Sequence, residues 1–272
     1  IFINWGAVIS GAGTTETIGK LGAINALPGA FAACIAAGLS VYLMTKIGLP
    51  VSTTQAIVGA IVGWNVYSGS PTNIKVLITI LSTWVLCPII AGLISMGLFI
   101  GTKKIIQKRK LHILRLDAYT RTSLLLAGAF GAYSLGANNI ANVMGVFVPI
   151  SPFTDINISN FFIFSSREQL FLLGGIAIAI GVFTYSKKVM LTVGNDLFKM
   201  SPVAAFIVVI SHSIVLFLFA SQGISQFLQN INLPSIPLVP VSSSQAVVGG
   251  VIGIGLLKGG KEVQWSIARK IS

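Results

Sequence analysis

Pro50-Val51-Ser52-Thr53-Thr54-Gln55-Ala56-Ile57-Val58-Gly59 returns almost unchanged as Pro240-Val241-Ser242-Ser243-Ser244-Gln245-Ala246-Val247-Val248-Gly249. Every difference is conservative, Ser for Thr or Val for Ile, and the match continues to Gly63 and Gly253. A weaker echo pairs Thr17-Ile18-Gly19 with Thr192-Val193-Gly194, in the same order along the chain. A whole half is therefore repeated. In each copy the motif opens a short apolar segment interrupted by Gly and Pro. Such segments at corresponding positions of two halves point to a secondary transporter and to its binding site.

The surroundings of the motif fix the class. Of 272 residues, 54% are hydrophobic and 9% charged, and the mean hydropathy is +0.89. Soluble chains carry about 25% charged residues, so this composition could not cover a water-facing surface. The apolar runs are continuous, as in 76–100 and 203–220, whereas barrel strands alternate apolar and polar residues. The fold class expected is an all-α polytopic membrane protein with broken or re-entrant helices. Spans are expected over 1–12, 26–45, 48–67, 75–100, 122–135 running into 136–145, 170–185, 203–221 and 239–256, with a surface loop at 157–169. The first repeat occupies 1–101 and the second 122–272, joined by a basic loop over 102–121. Residue 1 lies inside an apolar segment and 265–272 read as the start of a further helix, so both ends are expected to be incomplete.

The net charge of +12 is concentrated. Lys103, Lys104, Lys108, Arg109, Lys110, Arg115 and Arg121 share one stretch with a single acid, Asp117. The positive-inside rule places it in the cytoplasm, a position compatible with contact to anionic headgroups. Nucleic acid is not an expected partner, since Tyr119 is the stretch's one aromatic residue. Cys34 and Cys87 lie in apolar runs without metal-ligand spacing and read as small buried hydrophobes.

The repeated motif has a physical reading. Proline suits the entry to a helix, Ser52 and Ser242 are natural N-caps, and Gln55 and Gln245 three residues on complete a capping box in each copy. If two helices begin at these serines within the membrane, their first N–H groups lack water. An oxyanion can satisfy them, because a helix start offers oriented donors and roughly half a positive charge. The hydroxyls of Ser52, Thr53, Thr54, Ser242, Ser243 and Ser244 add donors. A capping box alone would equally begin an ordinary helix.

A second constellation is Gly136-Ala137-Asn138-Asn139-Ile140-Ala141-Asn142. Asn138 and Asn142 are four apart and share a helix face. An amide side chain can donate to an anion or accept from a hard cation, or it can bond neighbouring helices together. Gly136 and Gly145 on either side suggest a broken helix.

Taken together, GANNIANVMG (136–145), PVSTTQ (50–55), PVSSSQ (240–245) and TETIGK (15–20) resemble the inorganic phosphate transporter family, which includes some sulfate permeases; the likeness spans nearly the whole chain. The resemblance implies an all-α fold of two inverted repeats, with phosphate and coupling cations near the bilayer midplane. It implies phosphate binding by Ser52, Thr53, Thr54, Gln55, Asn138, Asn139, Ser242, Ser243, Ser244 and Gln245, and cation binding by Asn138, Asn142, Ser52 and Ser242. The family often has Asp where Asn139 stands and His where Gln55 and Gln245 stand. Both departures remove titratable groups, so Na+ rather than H+ is the expected coupling ion. The first-half Gly-Ala-Asn motif would precede residue 1.

Few other ionisable groups remain. Glu16 and Asp196 lie near expected span ends and read as solvated or capping acids. His112 falls in the basic stretch, and His212 lies in an apolar run, where packing and a functional role are both open. No Ser-His-Asp grouping, metal cluster or carboxylate pair suggests an enzyme. The function expected is phosphate symport with Na+ across the plasma membrane, in a bilayer-embedded chain compatible with a homodimer. A sulfate permease of the same fold and an anion channel are the alternatives; saturable, Na+-dependent flux separates the last.

Overall fold

Ten α-helices follow one another among the described residues of the computed structural model, which are 1–22, 27–46, 51–109, 112–159, 162–196 and 201–259, main chain alone at 113, 158–159, 162 and 185–196. They are α1 (Phe2–Ser10), α2 (Ala12–Leu21), α3 (Leu27–Lys46), α4 (Thr53–Ser68), α5 (Ile74–Arg109), α6 (Ile113–Met144), α7 (Ser166–Asp196), α8 (Pro202–Ala220), α9 (Gln222–Asn230) and α10 (Ser243–Leu257). A 3₁₀ turn, Val148–Ile150, and a two-stranded antiparallel hairpin, β1 (Ile156–Ser159) and β2 (Phe162–Phe164), separate α6 from α7. Four segments are long and apolar enough to cross a membrane: Leu27–Lys46, Ile74–Arg109, Ser166–Thr184 and Pro202–Ala220. Their outward faces carry exposed Phe31, Leu39, Val85, Ile89, Leu93 and Phe183. Hydrocarbon is the solvent that tolerates such faces, and a helix satisfies its own backbone there. The polytopic all-α expectation holds.

Helices in lipid gain little from hiding apolar surface from one another, so small residues that admit close approach set the packing. A Cβ at Gly6 of α1 would strike the carbonyl of Tyr133, and one at Gly136 of α6 would strike that of Ile3. Gly136 thus serves the α1–α6 contact and not a break: α6 runs unbroken through the asparagines to Met144, against the broken helix expected there. The break comes at Gly11, between α1 and α2.

The long helix α5 fixes directions. Cys87 Sγ donates to Ser242 O at 3.8 Å, Gly249 lies on Pro88, Gly253 on Gly92, and Ser95 Oγ donates to Gly250 O at 2.7 Å. From Cys87–Ser242 through Pro88–Gly249 to Gly92–Gly253 the numbers rise together, so α10 runs parallel to α5. By contrast α4 ends where α5 begins: Gly69, in the left-handed region at φ 68°, terminates α4, and Asn65 Nδ2 donates to Thr72 Oγ1 at 2.9 Å. The start of α4 lies deeper, where Thr54 Oγ1 donates to Val241 O beside the Ser242 that Cys87 meets, so α4 runs back toward the start of α5, opposite in direction to α5 and α10.

Two expected loops differ from the structure. The basic stretch is mostly helix, since α5 continues to Arg109 and α6 starts at Ile113. Lys, Arg, Leu and Ala there are good helix formers, and His112 caps α6 by accepting from Leu114 N at 3.4 Å. The stretch 157–169 contains β1, β2 and the start of α7, tied together by Ser166 N donating to Asp155 Oδ1 at 2.7 Å.

Charge divides between the two ends of the bundle. Where α5 stops and α6 starts lie Lys103, Lys104, Lys108, Arg109, Arg115 and Arg121, against Asp117 alone. The other end holds the Glu16–Lys20 pair at 2.5 Å, Lys75 at the start of α5, where Asn73 N donates to Leu21 O, and, near the pair, Asp155, Arg167 and Glu168, so three acids meet three bases. The basic end is accordingly expected in the cytoplasm. A Gln107→Cys variant should react with impermeant maleimide from the inner face only; labelling of intact cells would reverse the topology.

Candidate functional site

Ser52 caps α4 by accepting from Gln55 N at 3.4 Å, and Ser242 caps α10 by accepting from Gln245 N at the same distance. Both serines sit in extended backbone and are buried. Proline 50 lies outside the described residues; Pro240 precedes the second cap in an extended segment. One half of each expected capping box is therefore present. The return bond is not, because neither glutamine side chain reaches back to its serine, and Gln245 Oε1 is buried without a partner among the described residues.

The two helix starts meet. Thr54 Oγ1, at the first turn of α4, donates to Val241 O, two residues before α10, at 3.3 Å. Depth is set by Cys87, which touches Ser242 and stands about midway along the apolar run of α5. Because α4 and α10 run in opposite directions from this point, the positive ends of both helix dipoles face one region. The N–H groups of Thr53, Thr54, Ser243 and Ser244 have no acceptor among the described residues. Such free donors at helix starts are an anion-binding arrangement.

Helix α6 fastens the two starts together. Asn138, fully buried, grips Val241 at both main-chain groups: Nδ2 donates to Val241 O at 2.9 Å, and Val241 N donates to Oδ1 at 2.9 Å. Its Nδ2 also donates to Asn139 Oδ1 at 3.0 Å. One turn on, Asn142 Nδ2 donates to Thr53 Oγ1 at 3.2 Å and Thr54 Oγ1 at 3.0 Å. Asn142 Oδ1 is left buried and unpartnered among the described residues.

The chemistry follows from what each group has left to give. Thr53 accepts from Asn142 and is solvent-exposed, so its own hydroxyl proton is free to donate. Ser243 and Ser244, half-buried at the start of α10, carry side chains with no hydrogen bond among the described residues. The buried oxygens of Asn142 and Gln245 are acceptors in want of a donor or cation. Asn138, by contrast, spends both polar atoms on Val241 and is a clamp. Thr53, Thr54, Asn138, Asn139 and Asn142 are joined with Val241 in one hydrogen-bonded network, while Ser52, Gln55, Ser242, Ser243, Ser244 and Gln245 flank it on the two helix starts.

Sequence reasoning missed the part played by Val241, Thr14 and Thr17. Val241 acts through its main chain, which no residue type advertises. Thr14 Oγ1 donates to Ala137 O at 3.0 Å, and Thr17 Oγ1 donates to Leu238 O, so α2 braces both α6 and the segment that leads into α10. The echo of Thr17 in the second half was the available signal. The counterpart side chains at 192–194 lie outside the described side chains. Glu16 is exposed and paired with Lys20, as a solvated acid would be; Asp196 falls outside the described side chains.

Comparison with known proteins bears on this geometry. A family model described as the phosphate transporter family matches residues 1–119 and 112–272. A candidate phosphate permease of Methanocaldococcus jannaschii is 28% identical over 266 residues, covering 97% of this chain and 75% of that protein. A sodium-dependent phosphate transporter of Danio rerio is 26% identical over 149 residues, 54% of this chain and 20% of its own length. A solved structure, the sodium-dependent phosphate transporter, superposes with a TM-score of 0.76 at 23% identity, over 99% of this chain and 82% of that one; the likeness is one of fold.

Proposed function

This chain belongs to the phosphate transporter family, and we propose that it carries inorganic phosphate across the plasma membrane by symport with Na+. The family is one of transporters rather than enzymes. The observation that carries the reading is the meeting of two oppositely directed helix starts at mid-membrane depth, with free main-chain donors at Thr53, Thr54, Ser243 and Ser244. Two half-helix dipoles and neutral hydroxyls attract a phosphate without a fixed buried cation, so the ion can leave again. The reading treats 1–101 and 122–272 as two inverted repeats, which the opposed directions of α4 and α10 support.

Asn142 and Gln245 supply the coupling ion's side of the site. Their unpartnered oxygens are hard neutral ligands of the kind Na+ accepts, and the name of the Danio rerio relative states sodium dependence for that protein. No carboxylate or imidazole lies in the network to take up a proton instead. Phosphate uptake into proteoliposomes is therefore expected to require a Na+ gradient and to respond little to a pH gradient alone. Uptake driven by pH in Na+-free buffer would contradict Na+ coupling, and preferential uptake of sulfate would contradict the substrate.

Single hydroxyls test the site. Thr53→Ala and Ser243→Ala spare both caps but each remove one donor to the anion. Losing a hydrogen bond to a charged partner costs about 1.5–3 kcal/mol, or about ten- to a hundredfold in affinity. The two losses should be non-additive, since both act on one ion. Normal phosphate binding in both variants would reduce the serine caps to ordinary helix starts.

A further inference from the structure

We propose that the basic tips of α5 and α6 form a binding site for anionic phospholipid headgroups. Lys103, Lys104, Lys108, Arg109 and Arg115 form no ion pair with any described residue. The stretch's one acid, Asp117, is spent on Arg121 at 2.8 Å. Among the described residues the charge is thus uncompensated. A cluster of this size immediately beyond a membrane helix matches anionic lipid.

A second observation sets the depth. Large apolar side chains stand exposed among these cations: Ile105 at 59%, Leu114 at 73% and Tyr119 at 58%. In a tip projecting into water they would be wasted surface. At the headgroup–acyl boundary they are buried in lipid, while Lys and Arg on the same turns reach up to the phosphates. Ile105 lies beside Lys104 and Leu114 beside Arg115, so placing the apolar residues in the interface puts the cations at headgroup level. Setting topology requires only that the positive charges be present on one side; it does not require apolar residues interleaved with them. The opposite end of the bundle, where Glu16, Asp155 and Glu168 accompany Lys20 and Arg167, offers no comparable excess.

The test is lipid retention by the purified full chain, delipidated in neutral detergent and titrated with phosphatidylglycerol or phosphatidylcholine under native mass spectrometry. Phosphatidylglycerol should be retained in preference. Each cation removed near an anionic surface is worth about 1 kcal/mol, or about fivefold, so K103Q/K104Q/K108Q/R109Q should lose the preference by at least about tenfold. The charge-keeping K103R/K104R/K108R should hold it, as should K20Q/K75Q/R167Q at the other end. If the quadruple variant fails to fold, the unmodified chain decides: the preference should collapse as salt is raised, because these are exposed charges. Equal retention of the two lipids, a preference indifferent to salt, or equal loss in the outer-end variant would each overturn the site.

Discussion

Asn138→Ala is expected to abolish phosphate uptake and to destabilise the chain by about 2–4 kcal/mol. The side chain is fully buried and bonds both the N–H and the C=O of Val241. Removing it strands the Val241 N–H away from water, at about 1–3 kcal/mol, and takes one of two donors from the Val241 carbonyl, at about 1 kcal/mol. The cost does not stop at stability. Val241 also accepts from Thr54, so without the clamp the start of α10 loses its register against the start of α4. Asn138→Asp should fare no better: a carboxylate can accept from Val241 N but cannot donate to Val241 O, and it introduces a buried charge. Asn139→Ala removes only an acceptor of Asn138 and should be milder. Thermal unfolding in detergent and proteoliposome uptake read the two effects together. An Asn138→Ala chain that melts normally and transports normally would remove the clamp from this account.

Gly249→Ala should destabilise the bundle by about 3 kcal/mol or more, whereas Gly59→Ala, the same position in the other copy of the motif, should be neutral or slightly stabilising. A Cβ on Gly249 would strike the backbone of Pro88, with its Cα at 2.6 Å and its carbonyl closer still; one on Gly59 would have nothing within 4 Å. Backbone cannot step aside as a flexible side chain can, so the cost lies at or above the upper end of ordinary overpacking. At Gly59 the open helix gains from alanine's better propensity. The next glycines repeat the contrast: Gly253 is pressed on the carbonyl of Gly92, and Gly63 is open. The pairs G249A with G59A, and G253A with G63A, can be compared by the fraction recovered monodisperse and by melting temperature. Equal effects within a pair would show that α5 and α10 do not approach as closely as described.

Reading the chain without coordinates reached the class and the two helix starts, because both rest on local chemistry. A near-absence of charge admits few environments, and a Ser three residues before a Gln caps a helix wherever it stands. The asparagines were singled out because polar groups in an apolar run must find a partner. Their partners were not legible. Asn138 meets Val241 across 103 positions and Asn142 meets Thr54 across 88. The expectation that α6 breaks at Gly136 failed for a related reason. A glycine in a membrane helix can mark a break or a close contact, and only the approach of Ile3 distinguishes them. A basic stretch between two apolar runs suggests a loop, yet Lys and Arg extend helices readily, and α5 and α6 run into it from both sides.

By itself the sequence determined that this chain lives in a bilayer, that the motif at 50–59 recurs at 240–249, and that Ser52 and Ser242 begin helices. Each follows from composition, from self-similarity or from the hydrogen-bonding reach of a side chain over a few neighbours. Tertiary structure alone decided that the two helices begin face to face, that Asn138 holds and Asn142 is left an acceptor to offer, and that matching glycines press on backbone in one copy of the motif and face open space in the other. These are contacts between segments far apart in the chain. Two copies of one motif carry the same local instructions, so what surrounds each copy is the one thing that can make them differ.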